Sequence, residues 1–188
     1  MTLDEIFGKL VVHMIEGLMF HDQMANYYNF LGLEGYAECH TYHYLEESCN
    51  FNKLESYYVT HCNRLIPELR ATDPAVIPDS WYKYNRMDVD TNTKRNAVKT
   101  GLEKWMKWET ETKQLYESMH KELVNSGYCA AALEVAKLIE DVTCELHEVT
   151  QYYLNKKSTD YDIINIIEEQ DQKKECYEIR CRGIFLHQ

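Results

Sequence analysis

Apolar residues recur at spacings of three and four through four stretches of the chain, the pattern of amphipathic helices. The first stretch runs from about Leu3 to Leu31 and stops near Gly32. The second runs from about Gly35 to Asn63, and the third from near Asn92 or Thr93 to around Ser126 and Gly127. The fourth runs from about Cys129 to Leu154. The links LGLEG and NSGY are very short, so each neighbouring pair is expected to form an antiparallel hairpin. Between the hairpins lies RLIPELRATDPAVIPDSWYKYNRMDVDTN, which holds all three prolines and little periodicity. So long a connection is unusual in a compact domain. It predicts a crossover, about 64–92, running the length of a bundle with Trp81, Tyr82 and Tyr84 packed along the outside. After Leu154 comes the polar NKKSTD and then IINIIEEQDQKKECYEI, read as a shorter amphipathic helix lying on the bundle or facing a partner. The expectation is an all-α, antiparallel four-helix bundle over 1–154, with a C-terminal fifth helix and tail over 155–188.

The inner stripe of each helix follows from the same spacing. On the first helix it is Val11, Met14, Leu18, His21, Ala25 and Tyr28; on the second, Tyr36, His40, His43, Glu47, Phe51, Leu54 and Tyr58. On the third it is Val98, Leu102, Trp105, Glu109, Thr112, Tyr116, Met119 and Leu123; on the fourth, Leu138, Val142, Glu145, Val149 and Tyr152. Each stripe is apolar at both ends and broken near its middle by His or Glu. An ionised, unpaired Glu in a core costs several kcal/mol or takes up a proton instead. Three carboxylates facing one another, Glu47, Glu109 and Glu145, are worse, because like charges oppose ionisation. A divalent cation removes the conflict. Imidazole and carboxylate donors suit zinc, iron or manganese without selecting firmly among them. The expected ligands are therefore His21, His43, Glu47, Glu109, Asp141 and Glu145. Asp141 and His43, each one turn before a Glu, either bind the ion directly or orient a residue that does. Tyr28, His40 and Tyr116 are expected to support the ligands. The competing reading is plain: inner Glu and His that are linked to water or simply hydrogen-bonded.

Charge and cysteines narrow the classes further. The formal net charge is −11, with 31 acidic against 20 basic residues in 188. That argues against direct nucleic-acid binding, which uses a basic stripe, and suits a protein that attracts cations or docks on a basic partner. Seven cysteines at no metal-knuckle or redox spacing read as reduced thiols, mostly small buried hydrophobes, and so as a cytoplasmic chain. The acidic opening MTLDEIF is unlike a secretory signal, and no apolar run approaches the ~18 residues of a membrane span.

The two-hairpin layout with a long second-to-third connection resembles the ferritin-like superfamily, as does the placement of the ligands. The run HDQMANYYNFLGLEGYAECHTYHYLEES, 21–48, is similar to the first hairpin of that superfamily. The resemblance puts His21 where the family has a first-helix Glu, Tyr28 where a site tyrosine often sits, and Glu47 and Glu109 on family Glu positions. The chain departs from the pattern elsewhere. The second helix reads Glu47-Ser48-Cys49-Asn50 where Glu-x-x-His belongs, and the fourth offers Asp141, Glu145 and His147 without that motif. A site so altered implies a metal held for structure, tying four helices at one point. The same hairpin and WYKYNRMDVDTNTKRNA also resemble short ferritin-like proteins of phages and mobile elements. That likeness implies an anti-CRISPR inhibitor binding the basic channel of a Cas9-type nuclease in a host cytoplasm, without turnover. The expectation is thus a metal-binding, non-enzymatic acidic inhibitor of a basic protein, with a homodimer compatible. The alternative is a di-iron ferritin-like oxidase or iron-storage protein.

Overall fold

The computed structural model describes residues 1–62, 66, 89–162 and 164–166. Four long helices form it: α1 (Leu3–Phe30), α2 (Glu34–Cys62), α3 (Thr91–Asn125) and α4 (Cys129–Ser158). Among the described residues there is no strand.

The helix ends follow from local chemistry. Thr2 caps α1 by accepting from the Glu5 amide, and the Glu5 carboxylate accepts from the Thr2 amide in return. At the other end Gly32 takes φ +68, a left-handed conformation that an L side chain resists. This lets the Leu33 amide reach the Tyr28 carbonyl at 2.9 Å and the Gly32 amide reach that of Asn29 at 3.0 Å. Gly127, at φ +80, closes α3 the same way, with the Tyr128 amide on Leu123 at 2.9 Å. Both glycines that mark the short links in the sequence therefore stop a helix and turn the chain back.

α1 packs against α2, and α3 against α4. The N-terminal amine on α1 meets Glu122 near the end of α3, and Tyr58 near the end of α2 donates to Asp4 at the start of α1. So α1 is antiparallel to both α2 and α3, and α2 runs parallel to α3. Cys62 accordingly packs at one end of the bundle and Val89 at the other, as a long second-to-third connection requires. The path of that connection, with Trp81, Tyr82 and Tyr84, lies outside the described residues.

α4 continues a turn beyond the expected stop at Leu154. Lys156 is buried and donates to the Asn165 carbonyl at 3.0 Å, while its own carbonyl accepts from the Tyr161 amide at 2.8 Å. These bonds hold the last turn in helix despite its polar sequence. A helical turn at 164–166 follows, and Tyr161 and Ile166 are buried. The remainder of the expected C-terminal helix lies outside the described residues.

The core divides into two apolar clusters. One, at the Gly32 end, is rich in aromatics: Phe20, Tyr27, Tyr28, Tyr36 and Trp105 pack with Met24, Val98 and Leu102. The other, at the Gly127 end, is mainly aliphatic, with Ile6, Leu10, Val11, Leu54, Leu123 and Val135 around Phe7 and Tyr58. The expected stripe of α3 is buried throughout. On α1 the stripe shifts at one turn: Gly17 takes the buried place and Leu18 is half-buried, as are Phe51 on α2 and Tyr152 on α4. Of the five described cysteines only Cys39 is buried, and Cys129 and Cys144 are exposed, so the reading of cysteines as core residues holds for Cys39 alone.

Candidate metal centre

Between the two apolar clusters lies a layer of buried polar groups: His21, His40, His43, Glu47, Asn50, Glu109, Thr112 and Glu145. All four helices contribute, because each inner stripe is interrupted at the same height. His21 and Glu109 are wholly enclosed, and Glu145, the most open of the three carboxylates, is only 9 % exposed.

Toward α1 and α3 the groups are tied by the protein itself. The Nδ1 atoms of His21 and His40 lie 2.9 Å apart, so one ring donates there and the other accepts. The Trp105 indole donates to Glu109 Oε1 at 2.9 Å. His21 Nε2 stands 3.8 Å from the same oxygen. Gly17 opens the face of α1 above Glu47: a Cβ there would sit 3.5 Å from Glu47 Oε1.

Toward α2 and α4 the groups converge without closing hydrogen bonds. His43 Nδ1 lies 3.5 Å from Glu145 Oε2 and 3.6 Å from Glu46 Oε2. One donor atom from each of His43, Glu46 and Glu145 falls within 4.8 Å of the others, a set that could hold a metal ion. Asp141, one turn along α4, is half-buried and accepts from Asn50 Nδ2 at 3.4 Å. It faces a cleft of about 310 Å³ between α2 and α4 that Lys53 and Lys137 also line.

Electrostatics separates the two imidazoles. Burial holds His21 well below the ordinary histidine range, reinforced by His43 nearby, so His21 is neutral. Burial works against a charge on His43 as well, but Cys39 and Glu145 outweigh it and raise its pKa well above the usual value. The carboxylates shift upward. Burial, then Glu145 and Glu109, push Glu47 well up, and burial lifts Glu109 to about 7 against the opposing pull of His43 and Trp105. Burial and Glu109 raise Glu145, and burial and Glu145 raise Glu46 to about 7. Without a cation the layer therefore retains protons. Glu47, Glu109 and Glu145 each keep one buried oxygen with no hydrogen bond, and His21 Nε2 and both His43 nitrogens are likewise without one. Each such group costs roughly 1–3 kcal/mol, the same order as the gain from burying a Leu or Phe side chain. The donor set, orphaned oxygens beside orphaned imidazole nitrogens, fits a divalent cation.

The structure thus brings His21, His43, Glu47, Glu109 and Glu145 into one layer and leaves Asp141 at its rim. Tyr28 reaches the layer through its ring, stacked on His40 at 5.5 Å, while its hydroxyl points to the Ala97 carbonyl and not to a carboxylate. Tyr116 lies within the field of the same carboxylates, which, after burial, raises its pKa. His147 is exposed. Sequence reasoning missed Glu46, whose place one turn after His43 was a usable signal, and the role of Trp105 as donor to Glu109.

Neither protein-family models nor curated proteins match this sequence. Solved structures do. An engineered closed form of the Archaeoglobus fulgidus ferritin superposes with a TM-score of 0.73 at 11% identity, covering 92% of this chain and 96% of that one. The open-pore ferritin of the same archaeon gives 0.72 at 11% identity over 90% and 92%, and a humanized archaeal ferritin gives 0.72 at 11% over 90% and 93%. The fold is ferritin-like. No described helix is long and apolar enough to cross a membrane.

Proposed function

We propose that this chain is a ferritin-like metal-binding protein that holds a divalent cation of the iron, manganese and zinc class in the layer between its two apolar clusters. His43, Glu46 and Glu145 would form the more accessible donor set, with Glu47 reaching between it and the enclosed pair His21 and Glu109. One observation carries the reading: buried carboxylate and imidazole atoms from four helices converge at one height and are left without hydrogen bonds. A bound cation supplies the positive charge that lets these carboxylates ionise, and iron would add a redox couple. The protein supplies neutral His21 as a donor, protons on His43, Glu109 and Glu46 that would leave when the cation enters, and an apolar wall on either side.

The likeness to ferritins supports iron as the ion and iron oxidation or storage as the activity to test first. The departures limit it: His21 where that fold carries a Glu, and Asn50 where it carries a His. Metal analysis of tag-free protein, together with native mass and oxygen uptake with Fe(II), tests the proposal. We expect at least one ion per chain. Retention of none, and no binding on titration with Fe(II), Mn(II) or Zn(II), would overturn it. Oxygen uptake would assign the oxidase form, and a multi-subunit cage the storage form. Binding to a basic partner such as a Cas9-type nuclease is a separate proposal. It is supported by the net charge of −11 and by no described site.

A further inference from the structure

The second cavity lies far from the polar layer, where the first turns of α3 meet the hook that ends α4. It measures about 400 Å³ and is lined by Asn92, Arg95, Asn96, Lys99, Asp160 and Tyr161. We propose that it binds a phosphate-type oxyanion.

Three observations carry this. Charge is the first. The chain is acidic as a whole, yet Lys94, Arg95 and Lys99 fall together on the first turns of α3, between Asp90 and Glu103, with Lys157 in the last turn of α4. A local excess of cations in a protein of net −11 is a place where an anion is attracted instead of repelled. Unmet donors are the second. Arg95 Nε is buried without an acceptor. No described carboxylate pairs with the Arg95 guanidinium, a planar fork suited to two oxygens of a phosphate. Tyr161 is the third. It is 7 % exposed and lines the cavity, with its hydroxyl enclosed beside Tyr153. Lys99 Nζ lies 6.0 Å from the Tyr161 ring, and the side chains of Asn92 and Asn96 add neutral donors one turn apart. Among the described lining residues Asp160 is the one acid. It favours a ligand that presents its charge to Arg95 and Lys99 and a hydroxyl or protonated oxygen to Asp160, as a hydrogen phosphate or a phosphate monoester does.

The hook itself is set by backbone. Asp160 and Tyr161 both take positive φ, 51° and 55°. This turn swings the Tyr161 side chain back onto the bundle, where it packs in the aromatic cluster.

Phosphate binding is testable by calorimetry and by phosphorus NMR line width on the full chain at low ionic strength, with and without bound divalent cation. The probes are inorganic phosphate and adenosine monophosphate. We expect saturable binding in both cation states, weakened about tenfold or more in Arg95→Gln and in Lys99→Gln. Lys107→Gln, an exposed cation on the same helix, should change nothing. Tighter binding of the monophosphate than of inorganic phosphate would assign a phosphorylated metabolite, and the reverse a free phosphate. No saturable binding at millimolar phosphate overturns the proposal. So does binding unchanged in Arg95→Gln, or binding that disappears when the cation is removed, which would place phosphate in the metal layer.

Discussion

The two sides of the polar layer differ in who completes them. On the α1 and α3 side the protein does: His40 holds His21, and Trp105 holds Glu109. On the α2 and α4 side His43 stands 3.5–3.6 Å from Glu46 and Glu145, too far for a short hydrogen bond, and the cleft that Asn50 and Asp141 line lies one turn from those carboxylates. The enclosed side is thus fixed before any ligand arrives, and the open side is left for one. A fold can orient donors on one side with its own hydrogen bonds and leave exchange to the other.

The largest expected effect distinguishes the sides directly. His43→Ala and Glu145→Gln should each reduce cation affinity about 100-fold, while His21→Ala should reduce it less, by about tenfold. An ion at 100 times its Kd adds about 2.7 kcal/mol to stability, so chelation should lower the melting temperature of the parent by roughly 5–10 °C. It should leave His43→Ala unmoved. Titrations that show the reverse order for His21 and His43 would invert the comparison.

Next in size is Trp105→Phe. It removes the donor to Glu109 from the enclosed side and should cost about 1–3 kcal/mol in denaturant melts of the metal-free protein. A melt identical to the parent would mean that the enclosed side is not held as described.

The pH response of the metal-free protein is smaller per step. Glu109 has a folded pKa raised to about 7, so the native state keeps a proton that the unfolded chain gives up near 4.5. Its stabilising contribution is present at low pH and lost as pH rises through 7, by up to about 1.4 kcal/mol per unit. His43, also raised, acts in the same direction, whereas His21, lowered, favours the native state as pH rises only up to 6.5. Glu46, raised to about 7, and Glu47 and Glu145, also raised, add to the fall, so stability should drop from about pH 4.5 to about 7, and saturating cation should reverse the slope. Chemical denaturation at a series of pH values measures both.

The smallest effect should come from Gly17→Ala. The new methyl would meet Trp108 at 3.4 Å and Glu47 at 3.5 Å, ordinary contacts. The gain in helix propensity of at most about 1 kcal/mol should leave stability within about 0.5 kcal/mol of the parent once the crowding of Glu47 is set against it. A change in cation affinity would show that Glu47 is bound from the α1 side.

Much of this was legible in the chain. Period and two glycines were enough for four helices and two hairpins, because Gly32 and Gly127 are required where φ turns positive. The height of the polar layer was legible as well, since His21, Glu47, Glu109 and Glu145 each fall on a buried stripe. Glu46 was not, because it sits one residue, or 100°, off its stripe and enters the layer from the rim. Nor was the pairing of His21 with His40, which depends on the rotation of two helices that no single stripe records. The last turn of α4 was hidden because its stabilising acceptor, the Asn165 carbonyl, belongs to backbone beyond the helix.

The division of donors between the hairpins has a consequence for folding. Every imidazole in the layer comes from α1 and α2, while the charged groups that α3 and α4 bring to it are carboxylates. The α1–α2 hairpin carries the imidazoles with Glu46 and Glu47 but lacks Glu109 and Glu145, which only the α3–α4 hairpin brings. The two can form separately, early and from local contacts, but the centre exists only once they have docked. A cation would then act as a late clasp on assembly, and its retention would report that the two halves of the molecule have met.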